Sequence, residues 1–243
     1  MVIRVFDHEV QAGQAAAMLV AAQIIRKPDS VIGLATGSSP LQAYQELVRM
    51  YQAGIVDWSR VITFNLDEYH GLSPDHSQSY RSFMLKHLFG KINMQPEAIH
   101  VPNGTAANPA EECLAYERAI RAAGGIDLQL LGLGRNGHIG FNEPGSSFST
   151  LTHVVNLTED TADANARFFD KMTDVPKQAL SMGVGTIMQA RQIIMLVTGS
   201  GKARAVSGMV NGAIDPKCPG SILQIHANVT VLLDCAAATA LNR

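Results

Sequence analysis

The first segment with side chains that could do chemistry is Asn65-Leu66-Asp67-Glu68-Tyr69, which follows an apolar run. A carboxylate that leaves the end of a buried strand and faces a cleft can act as a general base. Asp67 is the candidate for that task. An acidic residue at this place could equally cap a helix or lie in a solvated turn, because Asp is common in both.

The second segment runs from Gly132 to Gly145, and its first six residues match the pattern G-x-G-x-x-G. This pattern indicates dinucleotide binding only where the glycines open a helix. Here Gly140, Pro144 and Gly145 follow so closely that a regular helix cannot form. We therefore expect a structured loop and not a nucleotide-binding helix.

That loop presents a histidine, His138, among several polar residues. A histidine side chain titrates near neutral pH and can both accept and donate a proton. It needs a partner that fixes its tautomer, and either Asn136 or Glu143 could serve. A lone histidine is also often a satisfied structural residue, although four glycines and an acid around it favour a functional reading.

The third segment could bind a phosphate group. Thr36, Gly37, Ser38 and Ser39 lie where an apolar run gives way to a helical pattern, so backbone N–H groups and hydroxyls would converge there. The segment lacks the lysine and spacing of a P-loop, which argues against a nucleoside triphosphate. A plainly capped helix start would explain the same residues.

Two cations complete the set of candidate residues. Lys202 follows Gly199-Ser200-Gly201 at the start of a predicted helix, and Arg167 lies in a helical stretch with apolar neighbours. Each could also be an ordinary solvated charge. Lys202 is the better candidate, because it lies at the same end of the predicted sheet as the other loops.

The elements that must position these residues alternate between strand and helix. We predict strands over Val2–Phe6, Val31–Ala35, Val61–Asn65, Ala98–Pro102, Asp127–Leu133, Thr152–Leu157, Gln192–Val197 and Val229–Leu233. We predict helices over a segment that ends at about Ile25 and over Ser39–Gln52, Ser77–Phe89, Pro109–Ala122, Asp160–Phe169 and Gly201–Val210. Such alternation predicts βαβ crossovers. The expected fold class is α/β, with a single doubly wound, mostly parallel sheet and helices on both faces, a modified Rossmann-like arrangement. We expect one domain over residues 1–243, with the ligand beyond the carboxyl ends of the strands.

Composition excludes several classes of function. The net charge of −2 gives no electrostatic reason to expect nucleic acid or an anionic membrane as a partner. No apolar run is long enough to span a bilayer, and the N-terminal segment does not resemble a signal peptide. The three cysteines do not stand at metal-ligand or redox spacing. We expect a cytoplasmic protein without a metal.

Taken together, the segments closely resemble the glucosamine-6-phosphate deaminase (glucosamine-6-phosphate isomerase) family, in that family's order and across almost the whole chain. The segments that carry the resemblance are Gly33–Pro40, Phe64–Tyr69, Gly134–Pro144, Ala164–Phe169, Val175–Gly183 and Gly199–Ala203. The loop that ends in Phe141-Asn142-Glu143-Pro144 is the most specific of them.

The resemblance implies that glucosamine 6-phosphate and water give fructose 6-phosphate and ammonia, an amino-sugar breakdown reaction that needs no cofactor. It implies that Asp67 moves the proton between C2 and C1 and that His138 opens the pyranose ring. Glu143 and Asn136 would orient and tune that histidine. The substrate phosphate site would comprise these residues: Thr36, Gly37, Ser38, Ser39, Arg167 and Lys202.

Some features depart from the family pattern. Many members carry aspartate at the position of Asn136, so we expect a different pH profile for ring opening. Allosteric members carry basic residues where this chain has His153 and Val155, and they have a longer C-terminal tail. We expect no activation by N-acetylglucosamine 6-phosphate, and a monomer or small homo-oligomer. The stretch 160–177 is a candidate lid because it includes Arg167.

Two alternatives remain at this point. A 6-phosphogluconolactonase would share the fold and a phosphate loop, but it needs no base at C2. A sugar-phosphate-sensing module would be expected to bring a DNA-binding segment and to lose catalytic residues, whereas Asp67, His138 and Glu143 are all present.

Overall fold

The structure is a computed structural model, and it describes residues 1–157 and 176–241. Within these two ranges, ten strands form two sheets: β1 (Val2–Phe6), β2 (Val31–Leu34), β3 (Ile62–Asn65), β4 (Asp67–His70), β5 (Ile99–His100), β6 (Leu128–Leu131), β7 (His153–Asn156), β8 (Gln178–Ser181), β9 (Gln192–Val197) and β10 (Val229–Asp234). The larger sheet has seven strands in the order β1-β10-β9-β6-β2-β3-β5. All of its strand pairs are parallel.

Six α-helices accompany these strands in the described ranges: α1 (Glu9–Arg26), α2 (Leu41–Gln52), α3 (Tyr80–His87), α4 (Pro109–Ala122), α5 (Val184–Ile187) and α6 (Ala203–Asn211). Short 3-10 turns cover Phe89–Lys91, Pro96–Ala98, Ser200–Lys202 and Pro219–Ile225. The predicted helix over 77–89 is thus shorter than expected. The helix predicted over Asp160–Phe169 lies outside the described residues.

Helices cover both faces of the seven-stranded sheet. One hydrophobic cluster joins residues of α1, α2 and α3 to one face, and a second joins residues of α4, α5 and α6 to the other. Strands buried on both faces read as continuous apolar runs, as β9 does. The predicted doubly wound α/β fold is therefore confirmed.

Gly33 shows how tightly the central strands are packed. The amide of Gln129 on β6 crosses β2 so closely that a Cβ atom on Gly33 would lie 1.9 Å from the Gln129 side-chain oxygen. Only glycine fits at this position.

The smaller sheet was not predicted. It has three antiparallel strands in the order β4-β8-β7, with Asp67 opposite Ser181 and His153 also opposite Ser181. The strand predicted over Thr152–Leu157 exists as β7, but it belongs to this small sheet and not to the parallel one. The expectation of a single sheet was wrong in this respect, because β4 and β8 have little apolar alternation to reveal them.

Among the helices in residues 1–157 and 176–241, none is both long and apolar enough to cross a bilayer.

Candidate active site

A cavity of about 600 Å³ lies beyond the carboxyl ends of the parallel strands. Loops that follow β2, β3, β6 and β9 supply its walls, as the sheet topology requires. Its lining includes these predicted site residues: Thr36, Gly37, Ser38, Ser39, Asp67, His138 and Lys202. Arg167 and most of the predicted lid lie outside the described residues.

The segment Thr36–Ser39 turns the chain from β2 into α2. Gly37 has a φ of 103°, a conformation that residues with a side chain rarely adopt. The first turn of α2 has no side-chain cap. The N–H of Leu41 donates to the carbonyl of Ser38, and the N–H groups that follow it in this turn can serve an anion. The Thr36 side chain also lies close to the hydroxyl of Tyr80. This end of the cavity is suited to a phosphate group.

Asp67 is the first residue of β4 and is only 6% exposed, although it faces the cavity. Burial, and secondly the charge of Glu68, raise the pKa of Asp67 to about 8. A carboxyl with a pKa in this range is a much stronger base than an exposed aspartate once it is ionised. Its environment therefore fits proton abstraction from carbon.

The neighbouring carboxylate, Glu68, has a different task. It accepts hydrogen bonds from the backbone N–H groups of Tyr69 (2.8 Å), Tyr80 (2.9 Å) and Arg81 (2.9 Å). Two of these donors belong to the first turn of α3, so Glu68 fixes that helix to β4. Adjacent acids thus divide into one that faces the cavity and one that holds the structure.

His138 lies on a turn closed by the hydrogen bond from the N–H of Gly134 to its own carbonyl, at 2.8 Å. Its ring lies directly against Gly134. A Cβ atom on that glycine would come within 2.4 Å of three ring atoms, Cγ, Nδ1 and Cε1. The predicted loop, without a helix at this place, is confirmed, and the second glycine of the G-x-G-x-x-G pattern, Gly134, makes room for the histidine ring.

Glu143 and Asn136 occupy different places around this histidine. The Oε1 atom of Glu143 lies 3.4 Å from the Nδ1 atom of His138, and no residue of 1–157 or 176–241 forms a hydrogen bond with that nitrogen. The amide of Asn136 donates to the Oε2 atom of Glu143 at 2.7 Å and accepts from the backbone N–H of His138 at 3.2 Å. Of the two partners left open by the sequence, Glu143 faces the ring, whereas Asn136 holds Glu143 and the backbone.

The small sheet joins Asp67 to the histidine loop. The hydroxyl of Ser181, opposite Asp67 on β8, accepts a hydrogen bond from the N–H of Phe141 at 3.1 Å. The buried amide of Asn142 donates to the carbonyls of Ile139 and Met182, both at 2.8 Å. These hydrogen bonds fix the histidine loop to the small sheet that carries Asp67.

Lys202 closes the phosphate end of the cavity. Its Nζ atom donates to the carbonyl of Leu133 at 2.6 Å. Burial, and secondly the nearby charge of Arg135, lower the pKa of Lys202. Leu133 belongs to the segment Gly132–Gly145 that carries His138, so this hydrogen bond joins the lysine to the histidine loop.

An aromatic wall was missed by the sequence reasoning. Tyr69, Tyr80 and Phe141 pack together beside Asp67, with ring centroids 4.8 to 6.1 Å apart, and all three line the cavity. Their spacing along the chain gives no signal, because they come from β4, α3 and the histidine loop.

No cluster of three or more His, Cys, Asp or Glu side chains that could hold a metal ion occurs in the part of the chain that the structure describes. The expectation that the reaction needs no metal stays a prediction.

Comparison with known proteins gives a consistent result. A family model described as glucosamine-6-phosphate isomerases/6-phosphogluconolactonase matches residues 7–232. A glucosamine-6-phosphate deaminase of Alkaliphilus metalliredigens (strain QYMF) is 52% identical over 232 residues, which cover 96% of each chain. One of Clostridioides difficile (strain 630) is 53% identical over 227 residues, which cover 93% of this chain and 91% of the relative.

Solved structures extend this comparison. A monomeric glucosamine-6-phosphate deaminase superimposes with a TM-score of 0.96 at 44% identity, covering 99% of this chain and 100% of that one. A 6-phosphogluconolactonase of Trypanosoma brucei, covering 99% and 98%, has a TM-score of 0.76 at 20% identity and so shares the fold alone. The chain belongs to the glucosamine-6-phosphate isomerase/6-phosphogluconolactonase family, on the side of the deaminases.

Proposed function

We propose that this protein is an enzyme that converts glucosamine 6-phosphate and water to fructose 6-phosphate and ammonia. The observation that carries the proposal is the pairing of Asp67 and His138 on one cavity whose other end suits a phosphate. The relatives that share about half of the sequence over nearly the full length bear the name of this activity.

The phosphate binds first and places the sugar between the two catalytic groups. Thr36–Ser39, Lys202 and, by family resemblance, Arg167 hold it at the start of α2. The pyranose ring must then open, because only the open-chain aldehyde has an acidified proton at C2. His138 takes the proton of O1 and delivers one to O5, while Glu143 stabilises the charged ring.

Asp67 then carries out the isomerisation. Its carboxylate takes the proton from C2, which gives an enolamine, and returns a proton to C1. The product has an iminium group at C2 and a hydroxyl at C1. Water adds to C2 and ammonia leaves, so the ketose forms with atoms balanced. The reaction is an isomerisation coupled to deamination, and not a simple hydrolysis.

The roles of the histidine's neighbours follow from their contacts. Glu143 faces the ring and would orient the histidine directly, whereas Asn136 would act through Glu143. An amide at this position leaves Glu143 the single acid of the group, in contrast to family members that have aspartate there. Lactone hydrolysis gives Asp67 no task, which disfavours the lactonase alternative.

The wider properties are proposed with the activity. A monomer is favoured because the similar solved deaminase is monomeric. One domain is favoured because the first and last strands, β1 and β10, pair with each other. His153 and Val155 lie on β7 and supply no pair of cations for a second sugar phosphate, so we propose no activation by N-acetylglucosamine 6-phosphate. We propose action in the cytoplasm.

Ammonia release from glucosamine 6-phosphate tests the function. The wild-type protein should release ammonia, and Asp67→Asn should lower kcat by about a thousandfold, because an amide cannot accept the C2 proton. Asp75→Asn is the matched control, since that aspartate is exposed and outside the cavity. Absence of ammonia from the wild type, or undiminished release from Asp67→Asn, would refute the proposal.

A further inference from the structure

Two cations lie close together beside the phosphate end of the cavity, and Arg135, unlike Lys202, is not among the residues that line it. Lys202 lines the cavity. Arg135, which follows Gly134 in the histidine loop, is exposed. In the described ranges 1–157 and 176–241 neither side chain forms an ion pair with an acid. This arrangement leaves two like charges beside each other without compensation.

The position of Arg135 follows from its contact with the turn that carries the lysine. A Cβ atom placed on Gly201 would lie 3.8 Å from the Nε atom of Arg135. The arginine side chain therefore extends along the backbone directly before Lys202. Its charge is felt there, since it contributes to the lowered pKa of that lysine.

Like charges near each other are unfavourable, and a bound anion offsets their repulsion. Asp234, the last residue of the neighbouring strand β10, does not remove this repulsion. Asp234 accepts hydrogen bonds from the N–H groups of Gly199 and Ala237, at 3.0 and 2.7 Å, so its lone pairs are directed at the backbone. A doubly charged phosphate would compensate both cations at once.

We propose that Arg135 is a further phosphate-binding residue, which acts with Lys202 on the phosphate group of the substrate. The inference rests on the proposed function and deepens it. A guanidinium group offers paired N–H donors that match two phosphate oxygens, whereas the lysine acts as a point charge. Arg135 therefore adds selection for a phosphate dianion over a neutral sugar.

This contact also connects binding to the catalytic loop. Arg135 stands three residues before His138, in the turn closed by Gly134. A phosphate held by Arg135 and Lys202 fixes that turn from its outer side. The main effect is on binding, because the arginine lies at the phosphate and not at C1 or C2.

The test compares Arg135→Gln with Arg204→Gln. Arg204 is also exposed and lies two residues after Lys202 on α6, and neither arginine lines the cavity, so both variants lose one charge in the same neighbourhood. The two differ in that Arg135 lies against Gly201. We expect Arg135→Gln to raise KM for glucosamine 6-phosphate about tenfold, with kcat within about twofold. The inhibition constant of inorganic phosphate should rise by a similar factor. Arg135→Lys should recover part of the loss, and Arg204→Gln should change neither constant.

Unchanged KM and phosphate inhibition in Arg135→Gln would overturn the inference while the proposed function stood. Equal effects in the two Gln variants would overturn it as well, because they would show a general field and no contact. If the wild type released no ammonia, the proposed function would fail by itself. Calorimetric titration of wild type and Arg135→Gln with inorganic phosphate would then decide the arginine's role, with equal affinities refuting it.

Discussion

The seven-stranded and three-stranded sheets contribute different kinds of groups to the same cavity. The large parallel sheet presents loops at its strand ends, which supply the anion-binding segment Thr36–Ser39, Lys202 and the histidine turn. The small antiparallel sheet presents a strand residue, Asp67, held opposite Ser181. Donors and the ring-opening group thus come from loops, whereas the carbon base comes from a strand.

Asp67 and His138 differ in how far each side chain is removed from solvent. Asp67 is 6% exposed, whereas the His138 side chain is 29% exposed. Ring opening moves protons between sugar oxygens, which an accessible imidazole can do. Abstraction of a proton from carbon needs a stronger base, and burial on a strand provides it.

The pH dependence of catalysis tests this contrast most directly. Asp67 acts only when ionised, and its pKa is about 8, so kcat/KM should rise with pH until about that value. Since each pH unit below the pKa costs about tenfold in ionised base, we expect roughly hundredfold lower kcat/KM at pH 6 than on the plateau. The measurement is the pH profile of ammonia release from pH 5.5 to 9.

The substrate's own titration is removed with a reduced, open-chain alcohol of glucosamine 6-phosphate, which carries the same amine and phosphate. Its inhibition constant, measured over the same range, should vary much less than kcat/KM. A kcat/KM profile that is already flat above pH 5 would show that the small sheet does not desolvate the base as the structure indicates.

The large sheet's contribution is tested at Gly134. In Gly134→Ala the new methyl group would overlap the ring of His138, so the ring must leave its present position beside Glu143. A displacement of about 1 Å can cost about a hundredfold in rate, and we expect kcat to fall about ten- to a hundredfold. Inhibition by inorganic phosphate should change much less than kcat, because Thr36–Ser39 and Lys202 are not displaced.

Gly208→Ala serves as the matched control. A Cβ atom there meets only the sulfur of Cys218, at an ordinary 3.5 Å, and the position lies within α6. If the two variants had the same kcat, the histidine would not depend on close contact with Gly134.

The same contrast explains what the sequence could predict. Apolar runs alternating with helical patterns identify the parallel sheet, and the topology of such a sheet brings its loops to one edge. A nucleotide-binding helix could be excluded because Gly140 and Pro144 disfavour a regular helix, and this backbone effect depends only on residue type and position in the sequence.

The small sheet could not be predicted in this way. Its strand β4 reads Asp67-Glu68-Tyr69-His70, and its pairing partner β8 comes more than a hundred residues later. Strand formation there depends on non-local pairing. It also depends on the hydrogen bonds that Glu68 accepts from the backbone N–H groups of Tyr80 and Arg81. The division of labour between Asn136 and Glu143 likewise required side-chain geometry, because both residues are compatible with orienting a histidine.

The last prediction concerns how the ionisation of Asp67 changes the folding stability of the protein. Because the pKa of Asp67 is raised from 3.8 to about 8 in the folded protein, the unfolded chain releases this proton at lower pH than the folded one. Folding stability attributable to this group is therefore complete below about pH 4 and declines as pH rises to 8. Asp67→Asn removes the decline and should stabilise the protein by several kcal/mol at pH 8.5, because one pKa unit corresponds to about 1.4 kcal/mol. The gain is measured as a higher Tm, and it should shrink towards pH 4. The exposed control Asp75→Asn should follow the wild type at every pH. If Asp67→Asn were no more stable than the wild type at pH 8.5, ionised Asp67 would not destabilise the fold. Burial would then not be the cause of its raised pKa.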